Sequence, residues 1–269
     1  MIDIHCHILP GLDDGAESLD IAIAMAEMAV ADGVTHIVCT PHITPGVYHN
    51  TAASIAGHVA RLQGELDLRG IPLRLATGAD IHISPTLVAD LDAGTAPTLA
   101  GSRAMLFEPP HHVLPPHMDK AVARLIAAGY VPVITHPERL SWIENRYDLV
   151  VALSDMGAPM QVTAGSITGA FGKRPRYWAE RMLDEGRVDI IASDAHNTRA
   201  RSPRLSHARD VVAARLGETE AQNLLLWRPA ALLNGESLPA RVGIVAPQTP
   251  AKDDGVVNSI RGWLNSLRG

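Results

Sequence analysis

Cysteine is nearly absent from this 269-residue chain. Cys6 and Cys39 are the only two, which argues against a disulfide framework and suits a reducing, cytoplasmic setting. Neither can serve a cysteine-phosphatase loop, which needs an arginine six residues beyond its thiolate: that position holds Leu12 after Cys6 and Pro45 after Cys39. Both are expected to be buried packing residues. Basic residues are in deficit, 23 Lys and Arg against 29 Asp and Glu, so a nucleic-acid grip resting on a basic surface is not expected. No apolar run reaches the roughly 18 residues of a membrane span. The stretch from Ile21 to Val30 is interrupted by Glu27 and flanked by Asp20 and Asp32. The opening Met1-Ile2-Asp3-Ile4-His5 lacks the basic and apolar regions of a signal peptide. Also missing are a Gly-x-Ser-x-Gly elbow, a Gly-x-x-x-x-Gly-Lys-Ser/Thr phosphate loop and a dinucleotide-type glycine fingerprint. Histidine, by contrast, is abundant: 13 residues, against four Tyr and two Phe. That surplus directs attention to metal ligands.

Short apolar runs alternate with longer amphipathic ones. Strands are expected at Ile2 to Ile4, Thr35 to Cys39, Leu73 to Thr77, Ala104 to Phe107, Val131 to Thr135, Pro159 to Val162 and Val188 to Ala192. Helices are expected at Ser18 to Ala31, Thr51 to Leu68, His117 to Ala128, Tyr147 to Met156 and Arg176 to Glu185, with further helices between Pro203 and Leu233. Such alternation implies parallel strands joined by crossovers, and seven strands without a dinucleotide fingerprint favour an α/β barrel over an open sheet. The barrel domain is expected to span residues 1–239. Residues 240–269 read as a Pro- and Ala-rich linker, then an amphipathic helix with Val257, Ile260, Trp263, Leu264 and Leu267 at helical spacing. That helix suits packing on the barrel or a neighbouring subunit, or docking to a partner or membrane.

Polar, metal-capable residues follow six of the seven strands. His5 and His7 follow the first, His42 the second, Asp80 the third, Glu108 the fourth, His136 the fifth, and Asp194 and His196 the last. In a (β/α) barrel the carboxyl ends of the strands open onto one face, so residues distant in sequence converge there. Singly, each has an ordinary alternative. His5 and His7 suit a core pair as well as one ion. Asp14 in the turn Gly11-Leu12-Asp13-Asp14-Gly15 suits a helix entry, and Asp194 suits a cap. As a set, five histidines and four carboxylates suit Zn²⁺, Mn²⁺ or Fe²⁺ and are too many for one cation.

The motifs MIDIHCHILPGLDDGA, GVTHIVCTPH, GADIHI, LFE, ITHPER, QVTAGSITGAFG and IASDAHN run in order through residues 1 to about 235. On these the chain resembles the PHP (polymerase and histidinol phosphatase) superfamily. Within it, the likeness is to the bacterial manganese-dependent protein-tyrosine phosphatases of the CpsB/CapC capsule type. The resemblance implies a distorted (β/α)₇ TIM-like barrel with two or three divalent ions, Mn²⁺ foremost. His5, His7 and Asp194 would hold a first ion, with Asp80 bridging to a second completed by Glu108 and His136. Asp14, His42 and His196 would hold a third. Arg139 and Arg201 would match the family's phosphate-binding arginines, although Arg139 also suits a surface pair with Glu138 or Glu144. The implied activity is phosphomonoester hydrolysis by a metal-activated hydroxide, on an autophosphorylating tyrosine kinase of exopolysaccharide synthesis. The alternative functions are a small-molecule phosphatase or phosphodiesterase and a non-catalytic metal-binding regulator, and a homo-oligomer is compatible with each. The chain departs from the family pattern in three places. Asp80 stands where glutamate is usual, the tail after Pro239 is additional, and Pro109-Pro110-His111-His112 follows Glu108. His111 and His112 are expected to be solvated loop residues outside the site.

Overall fold

In the computed structural model the described residues are 1–241, so the expected linker and amphipathic helix lie almost wholly outside them. The first strand, β1 (Ile2–Cys6), is buried throughout. Helix α1 (Leu19–Ala31) follows it, started by the Ser18 side chain, which accepts from the Ile21 N–H. Next come β2 (His36–Cys39), β3 (His42–Thr44) and β4 (Tyr48–His49). Thr51 and Ser54 cap α2 (Ala52–Leu68) reciprocally, and Ile55, Val59, Leu62 and Leu66 form its buried stripe. The chain continues through β5 (Arg74–Thr77), β6 (Asp80–His82), α3 (Leu87–Asp92), β7 (Ala104–Glu108), α4 (Met118–Ala127) and β8 (Val131–Thr135). Then follow α5 (Ile143–Asp155), β9 (Met160–Thr163), α6 (Ala164–Thr168), α7 (Lys173–Asp184), β10 (Ile190–Ala192), α8 (Ser206–Leu216), α9 (Glu218–Gln222) and α10 (Arg228–Asn234). Helix α5 begins earlier than expected, but non-helical backbone at Arg146 sets its first turn apart from the regular part starting at Tyr147.

Two sheets are present, β1-β2-β5 and β10-β9-β8-β7-β6-β3-β4, and all pairings are parallel except the β3–β4 hairpin. They form one ring. β2 and β3 are successive parts of one strand broken at Thr40-Pro41, where proline removes a ladder donor, and β5 and β6 are parts of another broken at Gly78-Ala79. At Gly78 neighbouring side chains press on the backbone so closely that a Cβ would lie 2.6 Å from Val38 Cγ1 and 2.9 Å from Leu99 Cδ2. β10 then closes onto β1. Ala195 pairs with Cys6, the His7 N–H donates to the Ala195 carbonyl at 2.8 Å, and the Asp194 N–H donates to the His5 carbonyl at 2.8 Å. Seven parallel strands therefore make the expected barrel.

Inside it, Ile4, Val38, Leu106, Val133 and Ala192 form a small apolar cluster with Leu232 of α10, while the larger cluster fills the space between strands and helices. Strand alternation links this plug to the rim: Ala104 and Leu106 lie in it and Glu108 follows in phase, as Ile190 and Ala192 precede Asp194. A register irregularity between Asp3 and Cys6 breaks that regularity in β1. The last helices, α8 to α10, fall close to the expected Pro203 to Leu233, and α10 sends Leu232 into the inner cluster. Arg228, fully buried, donates to both carboxylate oxygens of Glu220 and to the carbonyls of Pro239 and Ala240. No helix among the described residues is long and apolar enough to cross a membrane.

Candidate metal centre

The nine expected donors converge at the strand ends, grouped so that ligand atoms lie within 4.8 Å of one another. One such group is His7, Asp14, His42 and His196. Others are His5, His7 and Asp80; His5, His136 and Asp194; and His42, Asp80 and Glu108. Three histidines are fixed by a second ring contact. His5 Nδ1 donates to Gln161 Oε1 at 2.9 Å, His7 Nδ1 to Asp13 Oδ2 at 2.7 Å, and His196 Nδ1 to the Asp194 carbonyl at 3.0 Å. Each is left with Nε2 facing the cluster, the arrangement that orients an imidazole as a ligand.

The Gly11–Gly15 turn folds over His7. A Cβ at Gly15 would collide with the His7 carbonyl, and Asp13 accepts the His42 and Gly15 N–H groups, both at 2.9 Å. Ser18 caps α1, so Asp14 has no capping duty; its side chain stands half-exposed at the mouth. His136 and Asp194, both just past strand ends, have left-handed backbones (φ 36° and 49°), a strained conformation for non-glycine residues that turns their side chains from the ladder. Glu138 Oε1 accepts the Thr163 N–H at 3.0 Å and the Ser166 hydroxyl at 2.7 Å, tying the His136 turn to the end of β9.

Acceptors crowd the centre without enough donors. Both Asp80 oxygens, His136 Nδ1 and His196 Nε2 are buried with no hydrogen-bond partner among the described residues. His5 Nε2 lies 3.3 Å from Asp80 Oδ2 and 3.4 Å from Asp194 Oδ1, and His196 Nε2 lies 3.3 Å from Asp14 Oδ1. Two ligands each about 2.1 Å from one cation stand about 3.0–3.4 Å apart, so these spacings fit shared cations. The charge balance is sharply uneven in the protein alone. Burial opposes a charged His5, but Asp80 and Asp194 outweigh it and raise its pKa to about 9. Burial likewise opposes a charged His42, and Glu108 with Asp80 raises it to about 10. Burial lowers His136 and His196 to about 4, with Arg139 and His7 respectively adding to the effect. Asp80 and Asp194 resist burial and are held well below the usual carboxylate range, chiefly by His5.

Both arginines reach the cluster. Arg139 pairs with Asp194 Oδ2, its guanidinium 4.7 Å over the Phe171 ring, and Arg201 Nη2 lies 2.8 Å from Asp194 Oδ1. The alternative pairing of Arg139 with Glu138 or Glu144 does not occur: Glu138 is turned into the core and Glu144 pairs with Arg174. Cys6 and Cys39 are buried, and burial pushes both thiols up, as packing residues require.

The expectation for the loop histidines needs correcting. His112 is exposed, but His111 turns inward: its ring centroid is 4.7 Å from that of His136, and its Nε2 is 3.9 Å from Glu108 Oε1. Sequence reasoning also missed Asp13, Gln161 and Glu138. Asp13 had a signal, an acid pair next to a His-x-His; Gln161 had none, because only the β8–β9–β10 order brings it under His5.

Known proteins resemble this chain in sequence and fold. The tyrosine-protein phosphatase YwqE of Bacillus subtilis is 36% identical over 232 residues, 84% of this chain and 91% of that protein. The tyrosine-protein phosphatase CpsB of Streptococcus pneumoniae is 31% identical over 242 residues, 87% and 98% of the two chains. A crystal structure from work on YwqE and CpsB, described as unique metal-dependent tyrosine phosphatases, superposes with a TM-score of 0.85 at 34% identity, covering 88% of this chain and 96% of that one. Dihydropyrimidinase from Brevibacillus agri, with a TM-score of 0.52 at 12% identity over 87% of this chain and 70% of that one, shares the fold alone. The family described as "Capsular polysaccharide synthesis, CpsB/CapC" matches residues 1–234, the whole barrel, and this chain belongs to it.

Proposed function

We propose that this chain is a metal-dependent protein-tyrosine phosphatase that hydrolyses phosphomonoesters on an autophosphorylating tyrosine kinase of exopolysaccharide synthesis, at the cytoplasmic side. The observation that carries the reading is the unpartnered, buried Asp80 carboxylate among imidazoles whose Nε2 atoms face it. The residues fit divalent cations. His5, His7 and Asp194 would hold one; Asp80, Glu108 and His136 a second, with Asp80 shared; Asp14, His42 and His196 a third. Mixed nitrogen and oxygen donors suit Mn²⁺, with Zn²⁺ or Fe²⁺ as substitutes. Bound cations would supply the positive charge that makes water nucleophilic near neutral pH and offsets phosphoryl charge.

The protein's own groups do the rest. Gln161, Asp13 and the Asp194 carbonyl hold three imidazoles in the tautomer with Nε2 free. Arg139 and Arg201, fastened at the mouth by Asp194, present planar guanidinia for the non-bridging oxygens of a phosphoryl group. Tyrosine leaves as a phenolate of pKa about 10, so no strong general acid is demanded. The half-exposed Asp14 and the solvent contact of both arginines leave the mouth open to a side chain presented by another protein. The names of the relatives as tyrosine-protein phosphatases support that substrate.

The test is turnover of a phosphotyrosine peptide and of histidinol phosphate by protein stripped with a chelator and reloaded with Mn²⁺. The reading predicts chelator-sensitive turnover with the peptide preferred. Inactivity on both with Mn²⁺, Zn²⁺, Fe²⁺ and Co²⁺ would contradict it, and preference for histidinol phosphate would transfer the activity to small esters.

A further inference from the structure

The loop between β7 and α4 is rigid by composition and by contact. Pro109, Pro110, Pro115 and Pro116 restrict its backbone. Its middle is pinned from outside: the Trp142 indole N–H donates to the Pro110 carbonyl at 3.0 Å, and the Ser141 N–H and hydroxyl donate to the His111 carbonyl at 2.9 and 3.0 Å. These bonds fix His111 against the turn that carries His136 and Arg139. From that anchor its ring points inward, tilted 36° to the His136 ring, while the next side chain, His112, points to solvent.

Glu108, His111 and His136 thereby offer one ligand atom each within a 4.8 Å span. His111 Nε2 and His136 Nε2 both stand 3.9 Å from Glu108 Oε1. Donors at that separation fit one cation at a wide ligand angle, since bonds of about 2.0–2.1 Å to each reach across it. We propose that His111 is a tenth metal-ligating residue, binding the same divalent cation as Glu108 and His136. With Asp80, 3.8 Å from His136 Nε2, it gives that cation four side-chain donors instead of three. A pinned, Pro-bounded loop delivers such a donor without the ordering cost of a mobile one.

This inference rests on the metal-centre reading, and its test separates the two. Chelator-stripped wild-type, His111→Ala, His111→Gln and His112→Ala proteins are titrated with Co²⁺, followed by visible absorption, and with Mn²⁺ in a calorimeter. Thermal unfolding of the stripped proteins checks that each is folded. The expected result is a Co²⁺ spectrum altered by both His111 substitutions, one class of site weakened at least about tenfold, and no change for His112→Ala. Should His111→Ala disturb the loop, His111→Gln, which keeps the bulk without the imidazole nitrogen, decides. Isotherms and spectra of the His111 variants that superimpose on wild type overturn the proposal, even if turnover falls, because His111 would then contact substrate. Wild-type protein that takes up no cation removes the metal-centre reading, and this inference with it.

Discussion

Asp13→Asn distinguishes a carboxylate that organises the site from one that merely shapes a turn. Asp13 Oδ2 accepts from His7 Nδ1 at 2.7 Å and from the His42 N–H at 2.9 Å, and Oδ1 accepts the Gly15 N–H at 2.9 Å. Its pKa is lowered although burial opposes this, because His7 and the two backbone N–H groups favour the charged form. In the asparagine variant, the amide oxygen can keep the Oδ2 contacts as neutral bonds roughly half as strong. The amide nitrogen then opposes the Gly15 N–H, donor against donor, and a buried donor left unsatisfied costs about 1–3 kcal/mol. The expected loss of stability is therefore about 1–3 kcal/mol. His7 loses its anionic partner and turns more freely, so cation affinity should fall about 10–100-fold, the usual effect of removing a group behind a ligand. Calorimetric Mn²⁺ titration of the folded variant, with turnover at saturating Mn²⁺ on an aryl phosphate, measures both. Unchanged Mn²⁺ affinity per folded molecule, with only stability lowered, would refute the reasoning and leave Asp13 a turn residue.

Other consequences are equally direct. His136→Ala should cut aryl-phosphate turnover at least about 100-fold while circular dichroism stays that of the native barrel; near-normal turnover would contradict its place in the site. Because carboxylates overcome burial to lift His5 and His42 to about 9 and about 10, both rings are protonated near pH 8 without metal. Each must lose its proton to bind a cation, so uptake should release about two protons and tighten as pH rises to 9–10. The stability these ion pairs give the stripped protein is complete below about pH 6.5 and disappears as pH rises through the same 9–10 interval. Calorimetry in buffers of different ionisation enthalpy reads the release, and buffer-independent heats would exclude it. Glu220→Ala strands the buried Arg228 guanidinium, which should cost about 3–5 kcal/mol. At roughly 2–4 °C per kcal/mol the melting temperature should fall by about 6–20 °C, with turnover at low temperature retained. A shift under about 3 °C would mean that water or the Pro239 and Ala240 carbonyls suffice for Arg228.

The barrel was legible because its strands are continuous apolar runs, and its helices carry their own start and stop signals, as at Ser18, Thr51 and Gly33. The candidate donors were legible for a related reason: parallel strands put their carboxyl ends on one face, so His136 and Asp194 could be gathered without knowing any distance. Short elements were not. β3, β4 and β6 have only two or three residues each: β3 and β6 exist because the ring continues past the breaks at Pro41 and Gly78, and β4 only as the hairpin partner of β3. His111 resembled a solvated loop residue because the bonds that turn it inward come from Ser141 and Trp142, thirty or more positions away. Gln161 and Glu138 are buried polar residues whose partners lie on other strands or turns, so local pattern does not reveal them.

The most direct measurement is anomalous scattering from crystals grown with Mn²⁺, giving the number and position of cations per chain. The account predicts at least two peaks at the barrel mouth, roughly 2.0–2.3 Å from imidazole nitrogens and carboxylate oxygens among His5, Asp80, His136 and Asp194. A mouth with no anomalous density, or cations bound only elsewhere on the surface, would contradict it.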